Sequence, residues 1–148
     1  MRKDGSIDSI YCHWDGYPEH NGSILASNYS SLKKINDLID LGDLSYLDEK
    51  IKPTTKNHTF DDPESGVTIA YKRDRGEENT EHITHKNYKE FEKYCINSDQ
   101  EFAYLYKDKK WQVASIPWRV NSDSKLEFKN LKDVLKELNI RIDSALYR

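Results

Sequence analysis

Apolar and polar residues alternate along three stretches of this chain, which is the pattern of half-buried β-strands. The first stretch follows an Asp-Gly turn at residues 4–5 and predicts a strand over residues 6–13. The second, "VTIAYKRD", predicts a strand over residues 67–72. The third, "EFAYLYKDKKWQVASIP", contains two alternating runs joined at residues 108–109 and predicts a β-hairpin.

Other stretches place apolar residues three or four positions apart, which predicts amphipathic helices. In "SILASNYSSLKKINDLIDLG" this spacing predicts two short helices divided near Tyr29. The second is expected to be capped by Ser30 or Ser31 and to stop at Gly42. "THKNYKEFEKYC" predicts a helix that Thr84 can cap, and "LEFKNLKDVLKELNI" predicts a C-terminal helix.

Strands and helices therefore mix along the chain, and the sequence predicts an α+β fold. We expect a small antiparallel sheet packed with three or four helices. Residues 43–66 are polar and contain two prolines, which predicts a long ordered loop. A length of 148 residues with 36% hydrophobic residues predicts one compact domain over residues 1–148.

The charged fraction of 33% indicates a well-solvated surface, and the formal net charge is −3. No run of about 18 apolar residues is long enough to cross a membrane, and the first residues lack the apolar segment of a secretory signal. These features predict a cytoplasmic protein without a membrane partner. Cys12 and Cys95 are expected to be reduced, buried thiols.

The stretch "IYCHWDGYPEHNG" concentrates chemically versatile side chains near the end of the first predicted strand. His13, Asp15 and His20 offer imidazole and carboxylate groups to a divalent metal, which would suit a metal-dependent hydrolase or nuclease. The ligand shell would be completed by His58, Asp61 or Asp62. Their spacing matches no established metal signature. In the alternative interpretation, Asp15 accepts hydrogen bonds from the turn while Trp14 and Tyr17 cover the edge of the core. The sequence therefore predicts no metal and no cofactor.

Two arginines lie at the end of the second predicted strand. Arg73 and Arg75 flank Asp74, and side chains two positions apart share one face of an extended chain. Two guanidinium groups on one face suit a phosphate or a carboxylate, as a nucleotide-sequestering protein would need. In the alternative interpretation, either arginine pairs internally with Asp15, Asp74 or Glu77.

Aromatic side chains and a mild basic bias mark the chain from residue 103 onward. Tyr104, Tyr106, Trp111 and Trp118 can form a stacking platform for RNA or nucleotides. In the alternative interpretation, one row of this alternating hairpin belongs to the core. Trp118 and the adjacent Arg119 are retained as candidates for binding a partner.

Three motifs carry a family resemblance: "YCHWDGYP" at residues 11–18, "LIDLGDLS" at residues 38–45 and "RDRGE" at residues 73–77. With them, most of the chain resembles a family of small uncharacterised proteins encoded in bacteriophage and prophage genomes. Its members begin with an additional strand before the Asp-Gly turn, for which residues 1–3 leave almost no room. Compared with the family, either that strand is lost or the start of the chain differs, and an unpaired first strand would expose an edge that can pair with a partner.

The resemblance implies a biological context rather than a chemistry. Small phage proteins without a catalytic signature are often inhibitors of host defence, including anti-CRISPR proteins. The leading hypothesis is a non-catalytic protein that blocks a host defence effector, such as an RNA-targeting type VI system, by binding the protein or its guide RNA. The expected partner-binding or anion-binding residues are His13, Asp15, Tyr17, His20, Arg73, Arg75, Trp118 and Arg119. A metal-dependent hydrolase and a nucleotide sponge are the alternatives.

Overall fold

Short helices and strands follow one another along the chain, and this computed structural model describes residues 1–118 and 124–138. The α+β prediction is confirmed. The strands are β1 (Ile7–Ser9), β2 (Leu44–Tyr46), β3 (Ile69–Ala70), β4 (Ile83–His85), β5 (Phe102–Lys107), β6 (Lys110–Ser115) and β7 (Lys129–Asn130). The helices are α1 (Ser23–Asn28), α2 (Leu32–Asp40), α3 (Tyr71–Arg75), α4 (Tyr88–Ile96) and α5 (Leu131–Glu137), with a π-helical turn (Pro18–Gly22) leading into α1.

The strands form three small antiparallel sheets rather than the single sheet that the sequence predicts. β1 pairs with β4, β2 pairs with β3, and the third sheet has the order β5-β6-β7. The predicted hairpin is confirmed as β5 and β6, whose register runs from Phe102 opposite Ser115 to Lys107 opposite Lys110. Asp108 and Lys109 connect them with φ angles of +52° and +63°. Two consecutive left-handed residues match the right-handed twist of a tight hairpin.

This hairpin separates the buried residues into two clusters. Phe102, Tyr104 and Tyr106 of β5 face the first cluster, which contains residues of α1, α2, β2 and α5. Ala103 and Leu105 face the second cluster, which contains residues of β1 and α4. Both faces of β5 are therefore in contact with apolar side chains, as the period of two along a strand allows.

The first strand is shorter than the predicted span of residues 6–13, because the chain changes its pairing partner. Pairing with β4 ends at Ser9. After that, the main-chain amide of Tyr11 donates to the Asp43 carboxylate at 3.0 Å, and the carbonyl of Tyr11 accepts from Leu44 at 2.7 Å. His13 then donates to the carbonyl of Leu44 at 2.9 Å. Residues 10–13 are thus extended, but they pair with β2 rather than with β4. The strand β2 itself lies within residues 43–66, the segment that the sequence predicts as a loop.

The predicted strand over residues 67–72 is wrong for its second half. β3 ends at Ala70 and the chain turns directly into α3. The Asp74 carboxylate accepts a hydrogen bond from the Ala70 amide at 2.9 Å, which favours a helical turn at this position. Gly76 ends α3 with a φ of +69°, a left-handed conformation that glycine adopts readily.

The predicted helix pair before Gly42 is confirmed, and Ser31 caps α2 by accepting a hydrogen bond from the Lys34 amide at 3.2 Å. Gly42 has a φ of +78°, and a Cβ there would collide with the Thr80 carbonyl oxygen. The left-handed cap predicted at Gly42 is confirmed, but the cap predicted at Thr84 is wrong. Asn87 caps α4, since Thr84 lies in β4.

The C-terminal helix begins after an Asn130 cap rather than at Leu126, which packs in the second cluster. Residues 139–148, over which the predicted helix would end, lie outside the described residues. Cys12 and Cys95 are both free thiols. Among the described residues, no helix is long and apolar enough to cross a bilayer.

Candidate functional site

The segment "HWDGYP" forms a turn that projects two large aromatic side chains outward. Trp14 is 57% exposed and Tyr17 is 45% exposed. Between them, Asp15 has a φ of +57°, a left-handed conformation that turns the chain sharply. Pro18 then begins the π-helical turn, where its fixed φ suits the first helical position. Both ends of the segment are thus fixed by backbone geometry.

Aromatic rings and imidazoles on neighbouring residues support this turn. The His13 imidazole meets the Trp14 indole edge to face, with ring centroids 4.6 Å apart. The Tyr11 hydroxyl lies 2.7 Å from His13 Nδ1. We call the set of rings the aromatic turn; it consists of Tyr11, His13, Trp14, Tyr17, His20 and Tyr46.

His20 connects the turn to the core. Its Nε2 lies 2.7 Å from the Tyr46 hydroxyl, and its Nδ1 lies 2.8 Å from the Asn21 side-chain oxygen. The His20 ring also contacts the rings of Tyr46 and Tyr17, with centroids 4.9 Å and 6.3 Å away. Both nitrogens of His20 are therefore engaged by protein groups.

Carboxylates surround the aromatic turn. Partial burial, followed by the charges of Asp15 and Glu19, raises the pKa of Tyr17. Burial, followed by the charges of Asp48 and Asp15, raises the pKa of Tyr46. Both phenols are therefore neutral at neutral pH, and the carboxylates of Asp15, Glu19 and Asp48 are the charged groups that act on them. Among the described residues, no main-chain amide donates to the Asp15 carboxylate, which instead interacts with the Tyr17 hydroxyl, so the turn anchored by Asp15 that the sequence predicts is not observed.

The structure does not bring His13, Asp15 and His20 together as metal ligands. His13 is occupied by Tyr11, and His20 is occupied on both nitrogens. Within residues 1–118 and 124–138, no group of three or more His, Cys, Asp or Glu side chains is placed to hold a metal ion. This geometry gives no support to the hydrolase alternative.

Arg73 does not lie on a strand, and its guanidinium group is used inside the protein. It donates to the carbonyl oxygens of Ile51 at 2.5 Å and Thr68 at 2.7 Å. It also forms two hydrogen bonds with the Asp74 carboxylate, at 2.9 Å and 3.0 Å. Arg73 thus joins three segments of the chain, as the internal-pairing alternative anticipated.

Arg75 is likewise engaged, so the predicted pair of free guanidinium groups on one face is wrong. Its guanidinium group lies 2.5 Å from the Glu77 carboxylate and over the rings of Phe60 and Tyr71, at 4.3 Å and 5.0 Å from their centroids. Among the described contacts, none joins Arg73 or Arg75 to the aromatic turn.

The sequence suggests His58 only as a metal ligand, whereas the structure places it beside Asp74 in the Arg73 network. The His58 side chain is buried, and its Nδ1 accepts a hydrogen bond from the Glu64 amide at 3.0 Å. Its Nε2 lies 3.1 Å from the Asp74 carboxylate, without the alignment of a good hydrogen bond. Burial would raise the pKa of Asp74, but hydrogen bonds from Arg73 and Ala70, together with the nearby His58 imidazole, lower it below its ordinary value. No short motif joins His58 to Asp74, because they are distant in sequence.

The predicted stacking platform of the hairpin is largely used for packing. The Tyr104 hydroxyl donates to the Gly16 carbonyl at 2.6 Å, and the Trp111 indole donates to the Tyr29 carbonyl at 2.8 Å. Tyr106 packs against Trp111, with ring centroids 5.2 Å apart. Trp118 is different, because it is 92% exposed. Arg119 lies outside the described residues.

Comparison with known proteins does not identify a function, so functional inference rests on the geometry of this structure. No family model matches the chain, and neither curated proteins nor solved structures gave a significant match. The aromatic turn is accordingly the candidate functional site, since Trp14 and Tyr17 are exposed while the groups around them are held in place.

Proposed function

We propose that this chain is a non-catalytic binding protein that contacts a partner protein through the aromatic turn. The observation that carries this proposal is the exposure of Trp14 and Tyr17 on one short turn. Tryptophan and tyrosine dominate the binding energy of many protein interfaces, because they bury a large area at a small cost in side-chain entropy.

The support under the two rings favours binding over simple surface exposure. Trp14 is held against His13, and Tyr17 lies beside His20, whose two nitrogens are themselves engaged. A side chain that is already ordered loses less conformational entropy when it binds. The aromatic turn is therefore organised as a contact surface before any partner arrives.

The charge around the aromatic turn favours a protein over guide RNA as the partner. Asp15, Glu19 and Asp48 place negative charge near its tyrosines. Nucleic-acid affinity depends on neutralising phosphates with lysine and arginine, and Arg73 and Arg75 are engaged within the protein. The resemblance of the "YCHWDGYP" motif to phage proteins supports a host defence effector as that protein.

Capture of purified effectors tests this proposal. Immobilised protein is challenged with a panel of purified CRISPR effectors, including an RNA-targeting type VI effector with and without its guide RNA. We expect one effector to be retained, and we expect the double variant Trp14→Ala, Tyr17→Ala to lose that retention. Leu32→Ala is the matched control, since Leu32 is an exposed apolar residue on α2. Retention of no effector, or equal retention by the double variant, would contradict the proposal.

A further inference from the structure

A groove of about 1400 Å³ separates β1 and its extension from β5. Apolar side chains from both core clusters line its floor. They include Leu25, Ile35, Leu38, Leu44, Phe91 and Leu105. An apolar groove of this size inside a small protein can hold several residues of another chain.

The β5 side of the groove is an open strand edge. The Ile116 amide donates to the Glu101 carbonyl at 2.7 Å, so the odd-numbered residues of β5 direct their main-chain groups towards β6. In an antiparallel pair the alternate residues point the other way. The amide and carbonyl groups of Phe102 and Tyr104 therefore face the groove. The Tyr106 carbonyl does so too, and it accepts a hydrogen bond from the Met1 ammonium at 2.7 Å.

The opposite side of the groove is a second open edge. Tyr11 and His13 direct their main-chain groups to residues 43–44. Their neighbours Ile10 and Cys12 point the other way and line the groove. Among the described residues, neither Ile10 nor Cys12 has a main-chain hydrogen bond.

The two edges run in opposite directions across the groove. At one end, Met1 reaches the Tyr106 carbonyl, and the Arg2 amide donates to the Ser6 carbonyl just before β1. At the other end, the Tyr11 side chain lies beside Gln100. Unpaired strand edges that face each other across an apolar groove are the arrangement that accepts an added strand.

We propose that this groove binds an extended segment of a partner protein as an added β-strand between β1 and β5. The segment would form main-chain hydrogen bonds with the free amide and carbonyl groups of Ile10, Cys12, Phe102 and Tyr104. Successive side chains of the segment would point alternately towards the first and the second core cluster. This inference rests on the proposed binding function, but it concerns a groove that the exposed ring of Trp14 does not line.

The charges at the two ends of the groove define the chemistry of the segment. Lys3, Lys107 and Lys109 line the end beside Met1 and outnumber Asp108, while Arg2 there is paired with Asp8. Acidic side chains line the opposite end; they are Asp43, Asp99 and Glu101. A segment that runs antiparallel to β1, as Met1 and Arg2 do, would have its carboxyl end at the lysines. The best-fitting segment has basic residues first, an apolar middle and acidic residues last.

Hydrogen exchange with a defined probe tests this proposal. The probe is a synthetic peptide with lysines at its amino end, valine and isoleucine in the middle and aspartates at its carboxyl end. We expect the amides of Ile10, Cys12, Phe102 and Tyr104 to exchange rapidly in the free protein and about tenfold more slowly with the peptide bound. Protection in the free monomer would show that the chain fills its own groove and would overturn the proposal. Absence of protection at saturating peptide would also overturn it.

Charge reversal supplies the specificity control. The double variant Asp99→Lys, Glu101→Lys should bind the probe more weakly, and it should bind a peptide that carries aspartates at both ends instead of lysines at its amino end. Both positions are exposed, so folding is preserved. The control Glu78→Lys, Glu127→Lys makes the same charge change at exposed positions outside the groove and should bind the probe normally. The variant Trp14→Ala should also bind the probe normally, because Trp14 does not line the groove. This result separates failure of this proposal from failure of the aromatic turn.

Discussion

The imidazole of His13 stands edge to face against the indole of Trp14, with an interplanar angle of 87° and a centroid separation of 4.6 Å. His13 is fixed in turn by the Tyr11 hydroxyl at 2.7 Å. A chain of contacts therefore leads from a residue paired with β2 to an exposed ring. The orientation of Trp14 therefore depends on His13 and Tyr11, which a partner need not contact.

Tyr11→Phe should weaken partner binding by several-fold while leaving Trp14 itself unchanged. The variant removes the hydrogen bond to His13 and so loosens the support of the indole. We expect a stability loss of about 1 kcal/mol, typical of one hydrogen bond. Calorimetric titration against the captured effector measures the affinity. Unchanged affinity would show that the orientation of Trp14 does not depend on His13.

Arg73→Lys should destabilise the protein by about 2 kcal/mol, because a lysine cannot make the same set of hydrogen bonds to Ile51, Thr68 and Asp74. Arg75→Lys is the matched control. Its exposed pairing with Glu77 predicts a loss of about 0.5 kcal/mol. Urea unfolding of both variants compares the two values. Equal losses would contradict the structural role assigned to Arg73.

Acid should destabilise the loop that contains Glu64. Hydrogen bonds from Thr54 and Thr55, outweighing desolvation, lower the pKa of Glu64 to about 2. A carboxyl whose pKa is lower in the folded state contributes stability above its unfolded pKa of about 4.3 and loses it as the pH falls through its folded pKa.

Glu64→Gln should therefore flatten the dependence of unfolding free energy on pH between about 4.3 and 2. The control Glu78→Gln replaces an exposed carboxylate for which no hydrogen bond is described. Denaturant unfolding at a series of pH values measures both variants. An unchanged slope in Glu64→Gln would show that the threonine hydrogen bonds are not formed in solution.

Cys95 should react slowly with a thiol reagent until the protein unfolds. Burial, with the nearby Glu92 charge, raises the pKa of Cys95 to about 12, so almost no reactive thiolate is present at neutral pH. The variant Cys12→Ala leaves Cys95 as the single thiol for this measurement. Rapid modification in the absence of denaturant would show that the second core cluster opens readily.

The predictions that succeeded rest on local patterns. The alternation around Asp108 and Lys109 predicts the hairpin, and the apolar spacing with Ser31 predicts α2, because each pattern agrees with the tertiary packing. The predicted strand over residues 67–72 failed for a different reason. Its alternation is real, but the bond between Asp74 and Ala70 favours a helical turn.

The site was harder to predict than the fold. The sequence identifies His13, Tyr17 and His20 as candidates, but it predicts Trp14 only as a cover for the edge of the core, whereas Trp14 is exposed. It also cannot show that Tyr46 engages His20 from a distant strand. The arginines illustrate the same difficulty. Their spacing predicts an anion site only if the chain is extended, and α3 replaces that geometry with internal contacts.

Calorimetric titration of the captured effector with wild-type protein and with Trp14→Ala tests the central claim most directly. The account predicts that the variant keeps the wild-type unfolding midpoint and loses about 2 kcal/mol of binding free energy, or roughly thirtyfold in affinity. An affinity equal to that of the wild type, in a variant that remains folded, would contradict the assignment of the aromatic turn as the contact surface.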